Sequence, residues 1–244
     1  VMHIQMNSYH NNKQKLIIEN ISKKYGESKI IEDISLHVDE GEIISILGPS
    51  GSGKSTLFNI ITGLTNEYSG KIVINGKISY MQQKDLLLPY KNIIDNVSLP
   101  LLINNEKKIR ARERVKKYFE EFGLEGYEYN YPSELSGGMR QRVNFLRTFI
   151  NSKDLMLLDE PFAALDSITK SKMQEWLINV KGKFNSTILL ITHDIDEAIK
   201  LSNRIYLLSD KPAKVKKEFN LKDTNYDFGN ENYINIKKEI ISLL

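Results

Sequence analysis

The sequence predicts an α/β fold: a core built on a mainly parallel sheet, an antiparallel β flank and an inserted α-helical subdomain. Short apolar runs rich in Ile, Val and Leu recur along the chain, several without the alternation of a half-exposed strand, as strands covered on both faces require. Helical segments separate the later runs, which favours parallel pairing. One run, ending at Leu47, passes through the glycine-rich turn Gly48 to Gly53 straight into a segment of helical periodicity.

In chain order, strands are expected at "KLIIENI" from Lys15, "EIISILG" from Glu42, "GKIVING" from Gly70, "DLMLLDE" from Asp154, "STILLIT" from Ser186 and "RIYLLS" from Arg204. The earlier ones lie close together and suggest the antiparallel flank. Between Asn92 and Asn151 the pattern turns helical, with Ala111, Val115, Tyr118, Phe119 and Phe122 spaced by three and four and charges elsewhere. One domain over 1–244 follows: an α/β core at 15–91 and 152–220, a helical subdomain at 92–151, and a tail at 221–244 ending in the short helix "YINIKKEIISLL".

At 244 residues the chain can bury an ordinary core without staples. It has no cysteine, which excludes a disulfide framework, thiolate metal sites and thiol nucleophiles, and suits a reducing cytoplasm. Lys plus Arg (34) against Asp plus Glu (31) gives a net charge of +3, too slight to argue for a nucleic-acid partner. The basic run "KKIRARERVKK" from Lys107 reads as a solvated helix face, because Glu106, Glu113, Glu120 and Glu121 are interspersed. No run approaches the roughly 18 apolar residues of a membrane span, and no secretory signal is evident. A soluble, non-exported chain is expected. His3, His10 and His37 have no supporting context and read as surface residues.

"GPSGSGKST", comprising Gly48, Pro49, Ser50, Gly51, Ser52, Gly53, Lys54, Ser55 and Thr56, fits the P-loop pattern G-x-x-x-x-G-K-[ST] in its required strand-turn-helix context. The glycines let consecutive N–H groups point at phosphate oxygens, and the helix start adds a favourable dipole. Lys54 would reach the β- and γ-phosphates and Ser55 would ligate Mg²⁺. "DLMLLDEP" ends a strand in paired carboxylates, where ligands of open α/β sheets bind. Asp159 could orient Mg²⁺ or its waters, and Glu160 could accept a proton from an attacking water. His193 follows "TILLIT" at another strand end, in reach of a γ-phosphate. "LSGGMRQR", from Leu135, sets a second anion-binding turn before a helical segment.

The order "KKYGES", "GPSGSGKST", "MQQKDLLLP", "LSGGMRQR", "LMLLDEP", "AALD" and "ITHD" resembles the nucleotide-binding subunit of an ABC transporter from about Lys15 to Val215. The resemblance implies ATP and Mg²⁺ as cofactors, and a role for each matching position. Tyr25 would stack on adenine. Gln83, six residues before Pro89, would ligate Mg²⁺ and sense the γ-phosphate; Gln82 beside it competes for that role. Lys54, Gln83, Glu160 and His193 would form the catalytic set, and Ser55, Gln83 and Asp159 the metal set. Ser136, Gly137 and Gly138 would cap the γ-phosphate of ATP held by the P-loop of a second copy, with Asp166 working across that interface.

The finer texture, "LLLPYKNIIDNVSLPL" and "THDIDEAIKLSNRIYLLSDKPAKV", is similar to ATPases of the nitrate, sulfonate and taurine importer group, which includes uptake systems for thiamine-precursor pyrimidines. Tyr90 stands where Trp is usual and Ala163 where Gly is usual. The implied partners are a second copy, transmembrane permease subunits, with "LLLPY" beside a groove for their cytoplasmic helix, and indirectly an extracytoplasmic solute-binding protein; nucleic acid is not among them. The implied location is the cytoplasmic face of the cell membrane, held peripherally. The alternatives are the ATPase of another ABC system, for lipoprotein release or cell division, a soluble ABC ATPase acting on nucleic acid or translation, and a non-catalytic ATP-gated module.

Overall fold

The computed structural model describes residues 13–84, 86–222 and 229–244; His3 and His10 lie outside them. The chain divides into two compact units, Val1–Lys77 with Ser186–Leu244, and Ile78–Asn185.

In the first unit, β1 (Gln14–Tyr25) pairs antiparallel with β2 (Ser28–Asp39) on one side and β4 (Ser69–Ile74) on the other. Ile34, Leu36 and Val38 of β2 alternate inward and are fully or nearly buried. The left-handed Asn20 and Asp33 (φ 54° and 55°) sit at irregularities of this ladder. Asn and Asp are the non-glycine residues that tolerate this conformation best.

A second sheet of the same unit places β3 (Ile43–Leu47) between β7 (Ile188–Thr192) and β8 (Arg204–Leu208), all parallel. Every residue of these strands is buried, which accounts for their unalternating apolar sequences. The edge strand β9 (Val215–Asn220) runs antiparallel to β8, and its exposed Lys216, Lys217 and Glu218 keep that edge from pairing further. Helices α1 (Lys54–Ile61), α6 (Ile195–Leu201) and α7 (Glu231–Leu243) belong to this unit. Tyr233, Ile236 and Ile240 of α7 join Ile205, Leu207 and Phe219 of the sheet in one core cluster.

His37, expected at the surface, is half buried instead. Its Nε2 lies 2.9 Å from Arg204 Nη1, and a guanidinium only donates, so the imidazole nitrogen accepts. Arg204 also donates to Glu42 (2.7 Å), Glu218 and Tyr206 (both 3.0 Å). This network partners both terminal nitrogens of a cation buried to 4% exposure, while its Nε has no hydrogen-bond partner among the described residues.

In the second unit, β5 (Ile78–Met81) runs parallel to β6 (Leu155–Asp159). Four helices accompany them: α2 (Ile93–Ile103), α3 (Lys108–Lys116), α4 (Gly137–Asn151) and α5 (Ser167–Phe184). Phe122, Phe145, Phe149, Trp176 and Phe184 form an aromatic cluster with ring centroids 4.9 to 6.4 Å apart. The helical pattern through Phe122 departs from the structure at this point. Helix α3 stops at Lys116, and residues 117–123 continue as turns ending at a left-handed Gly123 (φ 62°). Phe119 and Phe122 are still buried, and Phe122 packs into the cluster without a continued helical ladder.

Candidate active site

In the first unit, β3 delivers the chain into the glycine turn. Gly53 caps α1 with φ 114°, and a Cβ there would sit 3.1 Å from Ile30 Cγ2 and 3.2 Å from the Ile30 carbonyl oxygen. Only glycine fits, so the loop backbone can enter the helix with its amides facing the cradle. Lys54 is buried, and its ammonium donates to the Gly48 and Pro49 carbonyls at 2.8 and 2.7 Å. The Ser52 hydroxyl is buried with no hydrogen-bond partner among the described residues. A buried cation beside an orphaned hydroxyl fits a multiply charged anion such as a triphosphate. Ser50, Gly51 and Ser55 are exposed and Thr56 is half buried.

Tyr25 ends β1 with its ring half exposed, and the Lys23 ammonium stands 4.6 Å from the ring centroid. That cation orients the ring from one side. His193 is exposed just beyond β7, and the following Asp194 caps α6 by accepting from Glu197 N at 3.0 Å.

In the second unit, the parallel pairing of β5 and β6 brings their C-terminal ends together. Asp159 closes β6, and its carboxylate is buried to 6% exposure and accepts from the Tyr80 hydroxyl at 3.1 Å. Burial and the neighbouring Asp159 push the Tyr80 hydroxyl well above the ordinary phenol range, so it remains a donor. Glu160 follows in a left-handed conformation, φ 46°, that turns its carboxylate to Gln83, whose Nε2 donates to Oε2 at 3.1 Å. This bond distinguishes Gln83 from Gln82.

The loop carrying Gln83 is tied down after Leu86. Arg147 of α4 donates to the Leu86 carbonyl at 2.7 Å. Asn96 of α2, fully buried, accepts from Leu88 N at 2.8 Å and donates to the Leu88, Lys91 and Asn92 carbonyls.

The Ser136 hydroxyl caps α4 by accepting from Met139 N at 3.3 Å, while Ser136 and Gly137 are exposed. Asp166 caps α5, accepting from Ile168 N and Thr169 N, both at 3.1 Å. Hydrogen bonds from the Thr169 side chain and amide hold the Asp166 carboxyl below the ordinary carboxylate range. Among the described residues no cluster of three or more His, Cys, Asp or Glu could hold a metal. Gln83 and Asp159 of this unit carry amide and carboxylate oxygens, and Ser55 of the first unit a hydroxyl, donor types that suit Mg²⁺.

Residues 31–163 match the family model described as ABC transporter. The chain belongs to the ABC transporter family. It is 50% identical over 203 residues, 82% of each chain, to the formylaminopyrimidine import ATP-binding protein ThiZ of Halalkalibacterium halodurans. It is 40% identical over 204 residues, 80% of each chain, to the aliphatic sulfonates import ATP-binding protein SsuB of Bacillus cereus. Among solved structures, the dimeric structure of MJ0796, a bacterial ABC transporter cassette, superposes with a TM-score of 0.73 at 32% identity, covering 86% of this chain and 100% of that one. MJ0796 has also been solved as a dimer in a post-hydrolysis state bound to ADP and Pi.

Within this ABC ATPase the expected residues fall into two groups. Tyr25, the P-loop and His193 belong to the first unit; Gln83, Asp159, Glu160, Ser136 to Gly138 and Asp166 belong to the second. The structure adds Tyr80, Asn96 and Arg147, which sequence reasoning missed. Tyr80 lies on a four-residue strand too short to stand out, and the targets of Asn96 and Arg147 are backbone groups that no motif encodes.

Proposed function

We propose that this chain is the ATP-hydrolysing subunit of an ABC importer, driving uptake of a small organic solute through separate permease subunits. The solute class that its relatives' names support is a thiamine-precursor pyrimidine or an alkyl sulfonate. No helix among the described residues is long and apolar enough to cross a membrane, so the chain would work as a peripheral subunit held at the cytoplasmic face by its permease. An extracytoplasmic binding protein would hand solute to that permease. Residues 92–151 would act as the helical subdomain that carries the signature turn.

The observation that carries this reading is the convergence of Asp159, Glu160 and Gln83 at the ends of β5 and β6. The P-loop amides and Lys54 bind the triphosphate of ATP, Lys54 exchanging the neutral Gly48 and Pro49 carbonyls for charged phosphate oxygens. Tyr25 stacks on the base. Ser55, Gln83 and Asp159 would hold Mg²⁺, which supplies charge neutralisation at the phosphates. Glu160 takes the proton of the attacking water, with its carboxylate oriented by Gln83. His193 donates toward the γ-phosphate. Ser136 to Gly138 of a second copy close over the same nucleotide, so two chains form a two-fold dimer around two ATP molecules. Because Arg147 and Asn96 anchor the Gln83 loop to α4 and α2, a shift of those helices reaches the Glu160 carboxylate directly.

Glu160→Gln tests the assignment. The variant should bind ATP as wild type does, hydrolyse it at least about 100-fold more slowly, and accumulate as an ATP-bound dimer. Turnover near the wild-type rate would remove Glu160 as the base.

A further inference from the structure

Two turns of the second unit approach each other, most tightly at Gly138. A Cβ built at Gly138, in the first turn of α4, would lie 2.8 Å from Thr169 Cγ2, and no other heavy atom outside its own stretch of helix lies within 4 Å among the described residues. Gly138 is buried, although Ser136 and Gly137 before it are exposed. Its lack of a side chain is therefore required by Thr169 alone. A Cβ–Cγ2 distance below about 3 Å demands movement, and a β-branched side chain has few rotamers to offer.

Thr169 is occupied on its other side as well. Its amide donates to Asp166 Oδ1 at 3.1 Å, and its side chain is the largest of the influences that hold the Asp166 carboxyl below the ordinary carboxylate range. Rotating the methyl away from α4 would carry the hydroxyl off Asp166. One side chain thus has its methyl seated on the signature helix and its hydroxyl on the cap of α5.

We propose that Thr169 is a positioning residue that locks the signature turn, Ser136 to Gly138, to the Asp166 turn, so that the two are presented to a second chain as one rigid surface. This rests on the proposed ATP-bound dimer. It gives Gly138 a reason distinct from phosphate contact, since an added methyl would act through Thr169 upon Asp166. Nothing in the motif "LSGG" or "AALD" alone indicates that the two are mechanically joined.

The test uses the full chain carrying Glu160→Gln, with ATP-driven dimerisation followed by sedimentation and the Asp166 carboxyl titration followed by NMR in the monomer. Gly138→Ala should weaken dimerisation at least about tenfold, the scale of an overpacking penalty, and move the Asp166 titration upward. Adding Thr169→Ser removes Cγ2 but keeps the hydroxyl, so the double variant should recover both readouts to within about threefold of the parent in affinity. Thr169→Val, which keeps a methyl and loses the hydroxyl, should move the Asp166 titration upward and weaken the dimer.

If the double variant is no better than Gly138→Ala in either readout, the glycine acts on its own and the proposal is wrong. A Glu160→Gln parent that fails to dimerise with ATP would count against the dimer instead. The Asp166 titration still decides the Thr169 link in that case, because it is read in the monomer: an unmoved titration in Thr169→Val overturns it.

Discussion

Asp159 and Glu160 are neighbours in sequence with opposite surroundings, and the difference follows from one backbone angle. Asp159 completes β6 and is buried against the Tyr80 hydroxyl. Glu160 enters the left-handed region at φ 46° and is half buried beside Gln83. A non-glycine residue there costs about 1 to 2 kcal/mol, a strain of the kind concentrated at working sites. Tyr80 is the residue whose part is most open to test. Tyr80→Phe removes one hydrogen bond to the Asp159 carboxylate while leaving the ring in place. The Mg²⁺ concentration for half-maximal ATPase activity should rise about tenfold, as when an outer partner of a metal ligand is lost. A Mg²⁺ titration of steady-state turnover measures this, and an unchanged midpoint would show that Asp159 is held by other contacts.

At the scale of elements, the pairing of α2 with α3 depends on one buried carboxylate. Asp95 receives a two-pronged hydrogen bond from Arg112, 2.8 and 2.9 Å, and an ion pair from Lys108 at 3.1 Å. The Arg112 hydrogen bond, opposed in part by burial, holds the Asp95 carboxyl below its ordinary value of 3.8. A lowered carboxylate stabilises the fold fully above its unfolded value and loses that contribution as pH falls through the folded one. Asp95→Asn should therefore cost about 1.5 to 3 kcal/mol at pH 7, and the gap to wild type should narrow below about pH 4. Urea unfolding at pH 7 and pH 3 gives both numbers, and a pH-independent gap would assign the effect to packing.

β3, β6, β7 and β8 were readable because strands buried on both faces have unbroken apolar sequences. β2 was hidden by the irregularity at Asp33 that breaks its alternation, β5 by its length, and β9 by the charges that guard a sheet edge. Motif residues stand out in the sequence because their types recur at the spacing that a phosphate, metal or proton role would need. The residues that hold them, Tyr80, Asn96, Arg147 and Thr169, do not, because their partners are set by tertiary contacts between segments distant in sequence. Likewise His37 looked like an isolated surface histidine until β8 brought Arg204 to it.

At the scale of the whole molecule, the chain carries one P-loop and one signature turn, and the proposed function needs them to serve different nucleotides. Ser136 is the position at which this is most cleanly examined. It is exposed, and its hydroxyl caps α4, so a replacement must preserve the cap if the fold is to stay intact. Aspartate caps as well as serine does while placing a negative charge where the second chain's γ-phosphate would approach. The decisive measurement is therefore Ser136→Asp in the Glu160→Gln chain, with ATP affinity of the monomer and ATP-driven dimerisation measured side by side. Completion of the site by a second chain predicts monomer affinity within about twofold of the parent, with dimerisation abolished. A loss of monomer affinity in step with dimerisation would contradict it, placing the signature turn on the nucleotide of its own chain.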